Sequence, residues 1–184
     1  DFTKQDALNY AGVTPDKVFK LPMLAPDFSR LRGSHAESAN YFMWTTNSAI
    51  HKNHVNALNA LKFYYEELGG TLECRITGVN TKDLFKSSLP HLKPLADLLR
   101  QSRLLKKNIK LVGELPDRNY QSMLASAAFL WHAGSIDNGT FSVIEAAGLG
   151  VPSLSSDYPA MREIDQQFSL SLSWMKSDQP KHMA

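Results

Sequence analysis

Residues 127–164 read AAFLWHAGSIDNGTFSVIEAAGLGVPSLSSDYPAMREI. An apolar run at 128–131 gives way to a polar turn, Gly134-Ser135-Ile136-Asp137-Asn138-Gly139-Thr140. A short helix-like stretch carrying Glu145 follows, closed by Gly148-Leu149-Gly150, and a second apolar run begins at Val151-Pro152. Strand, polar turn, helix, strand is one βαβ unit, whose two strands lie parallel in one sheet.

The same alternation extends toward the N-terminus. Residues 41–46 are an apolar strand ending in hydroxyls, Thr45-Thr46. A helix is expected over 53–68, with Val55, Leu58, Leu61, Tyr65 and Leu68 on one stripe and Gly69-Gly70 ending it. A second strand is expected at 71–78, a helix at 92–102 with Pro94 near its start, and a third strand at 108–115. Pro116 suits a helix start, and Tyr120, Met123, Leu124 and Ala127 continue a helical stripe from it. The fourth strand falls at 128–132, a helix at 140–148, the fifth strand at 151–155 and a sixth at 169–174. Strands alternating with helices of this length imply a parallel sheet covered on both faces. The expected fold is α/β, a Rossmann-like doubly wound parallel sheet of about six strands.

Residues 1–38 lack sustained periodicity and carry Pro15, Pro22 and Pro26, so they read as a linker or arm with one short extended piece at 17–21. The domain proper is expected over 39–184, ending inside what reads as the start of a helix, as if truncated. The first residues, Asp-Phe-Thr-Lys-Gln-Asp, show no signal-peptide core, and the sequence holds no run of ~20 apolar residues.

Composition narrows the function classes. In 184 residues, 43% are hydrophobic and 21% charged, ordinary for a globular chain. A net charge of +2, with no basic run beyond Lys106-Lys107, argues against nucleic acid as a partner. The single cysteine, Cys74, excludes an internal disulfide and reads as a small core residue of a reducing compartment. No GxGxxG follows the first strand, no Walker-type loop occurs, and no His, Asp or Glu set has metal-ligand spacing, so no cofactor or metal is expected.

In an open parallel sheet the ligand crevice lies at the C-terminal strand ends. After the first strand come Asn47, His51, Lys52 and Asn53; Lys52 is placed to reach phosphate oxygens or to be a solvated lysine, and Asn53 suits an N-cap. Gly78 follows the second strand and Gly113 the third, each able to admit a ligand or simply to turn the chain. The turn at 134–140 opens a helix whose free N–H groups favour an anion, with a carboxylate on either side, Asp137 and Glu145. Glu145 sits among small apolar neighbours and needs a partner, a ligand hydroxyl or an internal ion pair. An anion flanked by carboxylates suited to hydroxyls fits a nucleotide-sugar.

These residues resemble the C-terminal domain of GT-B glycosyltransferases, and more narrowly family 4, the retaining "glycosyl transferases group 1". The likeness covers roughly residues 15–184 and is carried by His51-Lys52-Asn53, by 108–115, and above all by 137–163. It implies that Lys52 neutralises the leaving diphosphate, Asp137 faces the donor sugar's hydroxyls and Glu145 holds the ribose. It also implies that Gly139, Thr140 and Phe141, with Asn138 and Ser142 beside them, cradle the diphosphate, and that Leu115 contacts the base through main chain. Gly78 and Asn47 complete the implied donor site. Two positions depart from the family: Asp137 stands for a Glu, and Asn47 for an Arg five residues before the lysine. The run D-N-G-T-F-S-V-I-E-A-A further resembles bacterial mannosyltransferases that build polymannose O-antigen, which implies GDP-mannose as donor. In such enzymes a second domain binds the glycan acceptor, so the chain is expected to be a donor-binding half, inactive alone, in a cytoplasmic enzyme whose membrane contacts lie elsewhere. The alternatives are a non-catalytic Rossmann-like module and half of a GT-B nucleotide-sugar epimerase.

Overall fold

Six parallel strands in the order β3-β2-β1-β4-β5-β6 form the sheet of the computed structural model, which describes residues 2–21, 24, 40–137 and 140–184. The chain runs α1 (Phe2–Tyr10), a 3₁₀ turn (Pro15–Lys17), β1 (Tyr41–Thr45), a second 3₁₀ turn (Ile50–Lys52), α2 (His54–Glu66) and β2 (Glu73–Thr77). A 3₁₀ segment (Thr81–Lys86), α3 (Lys93–Gln101), α4 (Arg103–Asn108), β3 (Ile109–Gly113), α5 (Asp117–Ala125) and β4 (Leu130–His132) follow. The last elements are α6 (Phe141–Gly148), β5 (Ser153–Ser156), α7 (Pro159–Phe168), β6 (Ser173–Met175) and α8 (Pro180–Met183). This is the α/β doubly wound architecture expected from the alternating pattern.

The period-two geometry of a strand explains how one apolar run serves two cores. In β1, Phe42 and Trp44 point to one face, where they join Leu58, Leu61, Cys74, Ile76 and Trp131. Tyr41 and Met43 point to the other, with Leu124, Leu130, Val143 and Met161. The first face is aromatic: Phe42 stacks on Phe129 with ring centroids 4.7 Å apart, and Trp44 meets Trp131 edge-on at 5.3 Å. Cys74 is wholly buried there, as expected for a core residue.

Several elements differ from expectation. The N-terminal stretch holds a helix, α1, which has no apolar stripe to announce it; it packs against α7, and Lys20 pairs with Glu163 at 2.9 Å. Of the extended piece expected at 17–21, Lys17 closes a 3₁₀ turn instead. The strand expected from Asn108 begins at Ile109, because Ser102 ends α3 and its hydroxyl accepts from Leu105 N–H at 3.1 Å to start α4. α7 adds a helix between the fifth and sixth strands that the sequence pattern does not announce, its start marked only by Pro159. The sixth strand is shorter than 169–174 because Ser169 and Ser171 adopt left-handed φ of 52° and 56°, which extended backbone does not permit. Among the described residues no helix is long and apolar enough to cross a membrane.

Candidate functional site

The strand order reverses between β1 and β4. From β1 the chain steps outward to β2 and β3, then returns to pair β4 with β1's other side, Met43 beside Leu130. Connections leave on opposite faces there, so a crevice opens beyond the carboxyl ends of those two strands. The loop after β1 carries Lys52 and the loop after β4 carries Asp137.

Across this crevice Lys52 Nζ donates to Asp137 Oδ2 at 2.5 Å, with side-chain exposures of 15% and 22%. His51 Nε2 lies 3.8 Å from the same oxygen. The backbones around them are tied as well. Ser135 N–H and Oγ–H donate to His51 O at 2.9 and 3.1 Å, and Asn53 Nδ2 donates to Ala133 O at 3.2 Å and to Ser177 O at 2.7 Å. Asn53 precedes α2 as expected of a cap, but its side chain makes no cap bond. Its φ of 60° is left-handed, a conformation asparagine tolerates, and its amide serves these cross-links.

The β1 loop is fixed by a turn of its own and by two histidines beyond it. Asn47 Oδ1 accepts from Ala49 N–H at 2.9 Å, an Asx-type turn that occupies the side chain standing where the resemblance places an arginine. Thr46 Oγ1 pairs with His54 Nε2 at 3.2 Å, and His91 Nε2 with Ser48 O at 2.8 Å. His54 is 2% exposed, and burial pulls its pKa down to about 4. Gly78 is dictated by packing: at φ +128°, a Cβ there would lie 1.9 Å from Thr46 O. Its N–H donates to Gly113 O at 3.0 Å, tying the ends of β2 and β3. Leu115 lies half-buried beyond β3.

On the β4 side, Asn138 and Gly139 lie outside the described residues. Thr140 caps α6, its Oγ1 accepting from Ser142 N–H at 3.4 Å and bonding Ser142 Oγ at 2.9 Å, so one of the helix's free N–H groups is already engaged. Ser142 is buried and Phe141 is 49% exposed at the rim. Glu145, in the second turn of α6, is half-buried, and burial pushes its carboxyl up, moderated by a hydrogen bond from Tyr120. Tyr120 reaches in from α5 and contacts Thr45 Oγ1 at 3.3 Å. Among the described residues, the Tyr120 hydroxyl is the neighbour that eases the charge on Glu145. No group of three or more His, Cys, Asp or Glu there is arranged to hold a metal.

Two residues beneath the site were not singled out from sequence. His132 ends β4 at 4% exposure, with Nε2 2.9 Å from the Tyr158 hydroxyl. Burial, with nearby Lys52, pulls its pKa down to about 4, against an opposing pull from Asp137. The imidazole is therefore neutral. A polar residue closing an otherwise apolar strand at the crevice end was the available signal.

The all-parallel sheet flanked by helices is the Rossmann-like fold of one half of a GT-B structure. A glycosyltransferase from Rickettsia africae ESF-5 superposes with a TM-score of 0.73 over 100% of this chain and 49% of its own, at 12% identity. S. aureus TarM, crystallised with Fondaparinux, alpha-GlcNAc-glycerol and UDP, gives 0.70 over 100% and 34%, at 15% identity. Anabaena HepE in complex with UDP and glucose gives 0.60 over 80% and 37%, at 14% identity. The chain therefore spans half or less of the length of each. No protein-family model and no curated protein matches the sequence.

Proposed function

We propose that this chain is the donor-binding half of a retaining glycosyltransferase, with residues 39–184 forming the nucleotide-sugar domain behind an N-terminal arm. The observation that carries the reading is the meeting of Lys52 and Asp137 across the β1–β4 crevice, 2.5 Å apart on loops 85 residues distant in sequence. The UDP held by the TarM and HepE structures supports a nucleoside diphosphate as the ligand class.

The chemistry asked of the site is electrostatic. As the bond between the sugar's anomeric carbon and the phosphate oxygen lengthens, negative charge collects on the departing diphosphate. Lys52 and the N–H groups at the start of α6 are placed to stabilise it. Asp137 orients the sugar through its hydroxyls, and Glu145 accepts from the ribose. The resemblance at 137–147 makes GDP-mannose the first donor to try and polymannose O-antigen the first product. The glycan acceptor would be bound by a second domain of a longer, cytoplasmic, family 4 enzyme.

The test is a thermal-shift and calorimetry screen of GDP-mannose, UDP-glucose, GDP and UDP against wild type and Lys52→Ala. A true donor stabilises wild type by mass action, about 2.7 kcal/mol at one hundred times Kd, and Lys52→Ala loses most of that shift while unfolding normally in its absence. A flat response to every nucleotide would favour a non-catalytic module.

A further inference from the structure

The Lys52 ammonium is already engaged by an anion belonging to the protein. Its exposure is 15%, and Asp137 Oδ2 sits 2.5 Å from it with His51 Nε2 3.8 Å from the same oxygen. The fold supports the pairing by tying the two loops together: Ser135 donates through N–H and Oγ–H to His51 O, and the Asn53 side-chain amide donates to Ala133 O. A phosphate arriving at Lys52 must compete with a carboxylate of the same charge in a half-buried crevice, where screening by water is weak.

We propose that the Lys52–Asp137 ion pair discriminates a sugar-loaded donor from the spent nucleoside diphosphate. This rests on the donor-site reading above. When the diphosphate carries a sugar, hydroxyls donate to the Asp137 carboxylate and replace the ammonium as its partner, leaving Lys52 to the phosphate. When it carries none, Asp137 has no new donor and continues to compete for Lys52, besides repelling the phosphate charge. Contacts to sugar and to phosphate are therefore formed together. Loss of the sugar to an acceptor restores the internal pair and weakens the hold on the product.

The test is a double-mutant cycle by calorimetry on the full chain, titrating GDP and GDP-mannose, with UDP and UDP-glucose as the second pair, against wild type, Asp137→Asn, Lys52→Gln and the double variant. Asp137→Asn is expected to bind the bare diphosphate about five- to tenfold more tightly while binding the nucleotide-sugar less tightly. On the Lys52→Gln background the gain should shrink to under about twofold, the signature of two groups that act on each other. If Asp137→Asn weakens both ligands alike, or if the gain persists undiminished without Lys52, the inference is overturned and the donor site stands. If wild type binds neither ligand pair, the donor reading falls and takes the inference with it. Should Asp137→Asn fail to fold by circular dichroism, Asp137→Ser carries the same readout.

Discussion

The two lips of the crevice are built on opposite principles. The β1 lip has many ties of its own: Asn47 closes its own turn, Thr46 grips His54, His91 meets Ser48 O, and the Thr46 carbonyl lies against Gly78. The β4 lip is held from outside, through Ser135 bonded to His51 O and Asn53 reaching Ala133 O, over a neutral His132 footed on Tyr158. A rigid lip thus presents the cation, and a lip anchored to it presents the carboxylate.

The largest expected break is Gly78→Ala. A methyl 1.9 Å from Thr46 O, on a residue at φ +128°, strains the backbone and displaces the β1 lip. The expected loss is about 3 kcal/mol or more, read by denaturant unfolding. Alanine tolerated within 0.5 kcal/mol would show the wedge to be dispensable.

Acid probes both lips through their buried histidines. His54 and His132 each have a folded-state pKa of about 4 against the usual 6.5. As pH falls below 6.5 the unfolded chain takes up these protons and the folded chain does not. The stability they contribute is full above pH 6.5 and drains away toward pH 4, on the order of 3 kcal/mol for each. Thermal melts between pH 7 and 4 should show this slope, and His132→Gln should remove about half of it. An unchanged slope would mean that His132 is protonated within the fold.

Asn53→Ala tests whether the β4 lip depends on the β1 loop. It removes the bonds to Ala133 O and Ser177 O and places a Cβ residue ill-suited to φ 60°. A loss of about 2 kcal/mol is expected. Asn53→Gly relieves the conformation without the bonds, so its loss against wild type measures the anchoring, and the difference between the two variants measures the backbone cost.

The smallest effect is of opposite sign. Burial raises the Glu145 carboxyl, so its charged form weighs against folding at neutral pH and the penalty eases as pH falls. Glu145→Gln should raise Tm slightly at pH 7 while weakening nucleotide binding, as expected where stability is exchanged for a ligand contact. A lowered Tm would show that Tyr120 already compensates the charge.

These contrasts explain what was legible in the sequence. From residue 41 onward the strands read clearly, since apolar runs such as YFMW must be buried on both faces. α1 did not, because FTKQDALNY has no apolar stripe and rests against α7 through contacts remote in sequence. Lys52 and Asp137 stood out as candidates through residue type and strand-end position, and Glu145 through its place among small apolar neighbours in a helix. Their supports were not: Asn53 meets Ser177 across 124 residues, Thr45 meets Tyr120 across 75, and His132 meets Tyr158 across 26. No local pattern encodes such partners. Gly78 was ambiguous for the same reason, since the atom that forbids a side chain belongs to Thr46 on the neighbouring strand's end.

Cys74, fully buried in the aromatic core, is the chain's single cysteine, and burial pushes its thiol well above the usual range. Toward maleimides and other alkylating reagents the native protein is therefore silent. A cysteine introduced at Ile136, 57% exposed beside Asp137, would take one fluorophore at one known place on the β4 lip. In the parent chain, slow modification of Cys74 becomes a clock for opening of the whole fold.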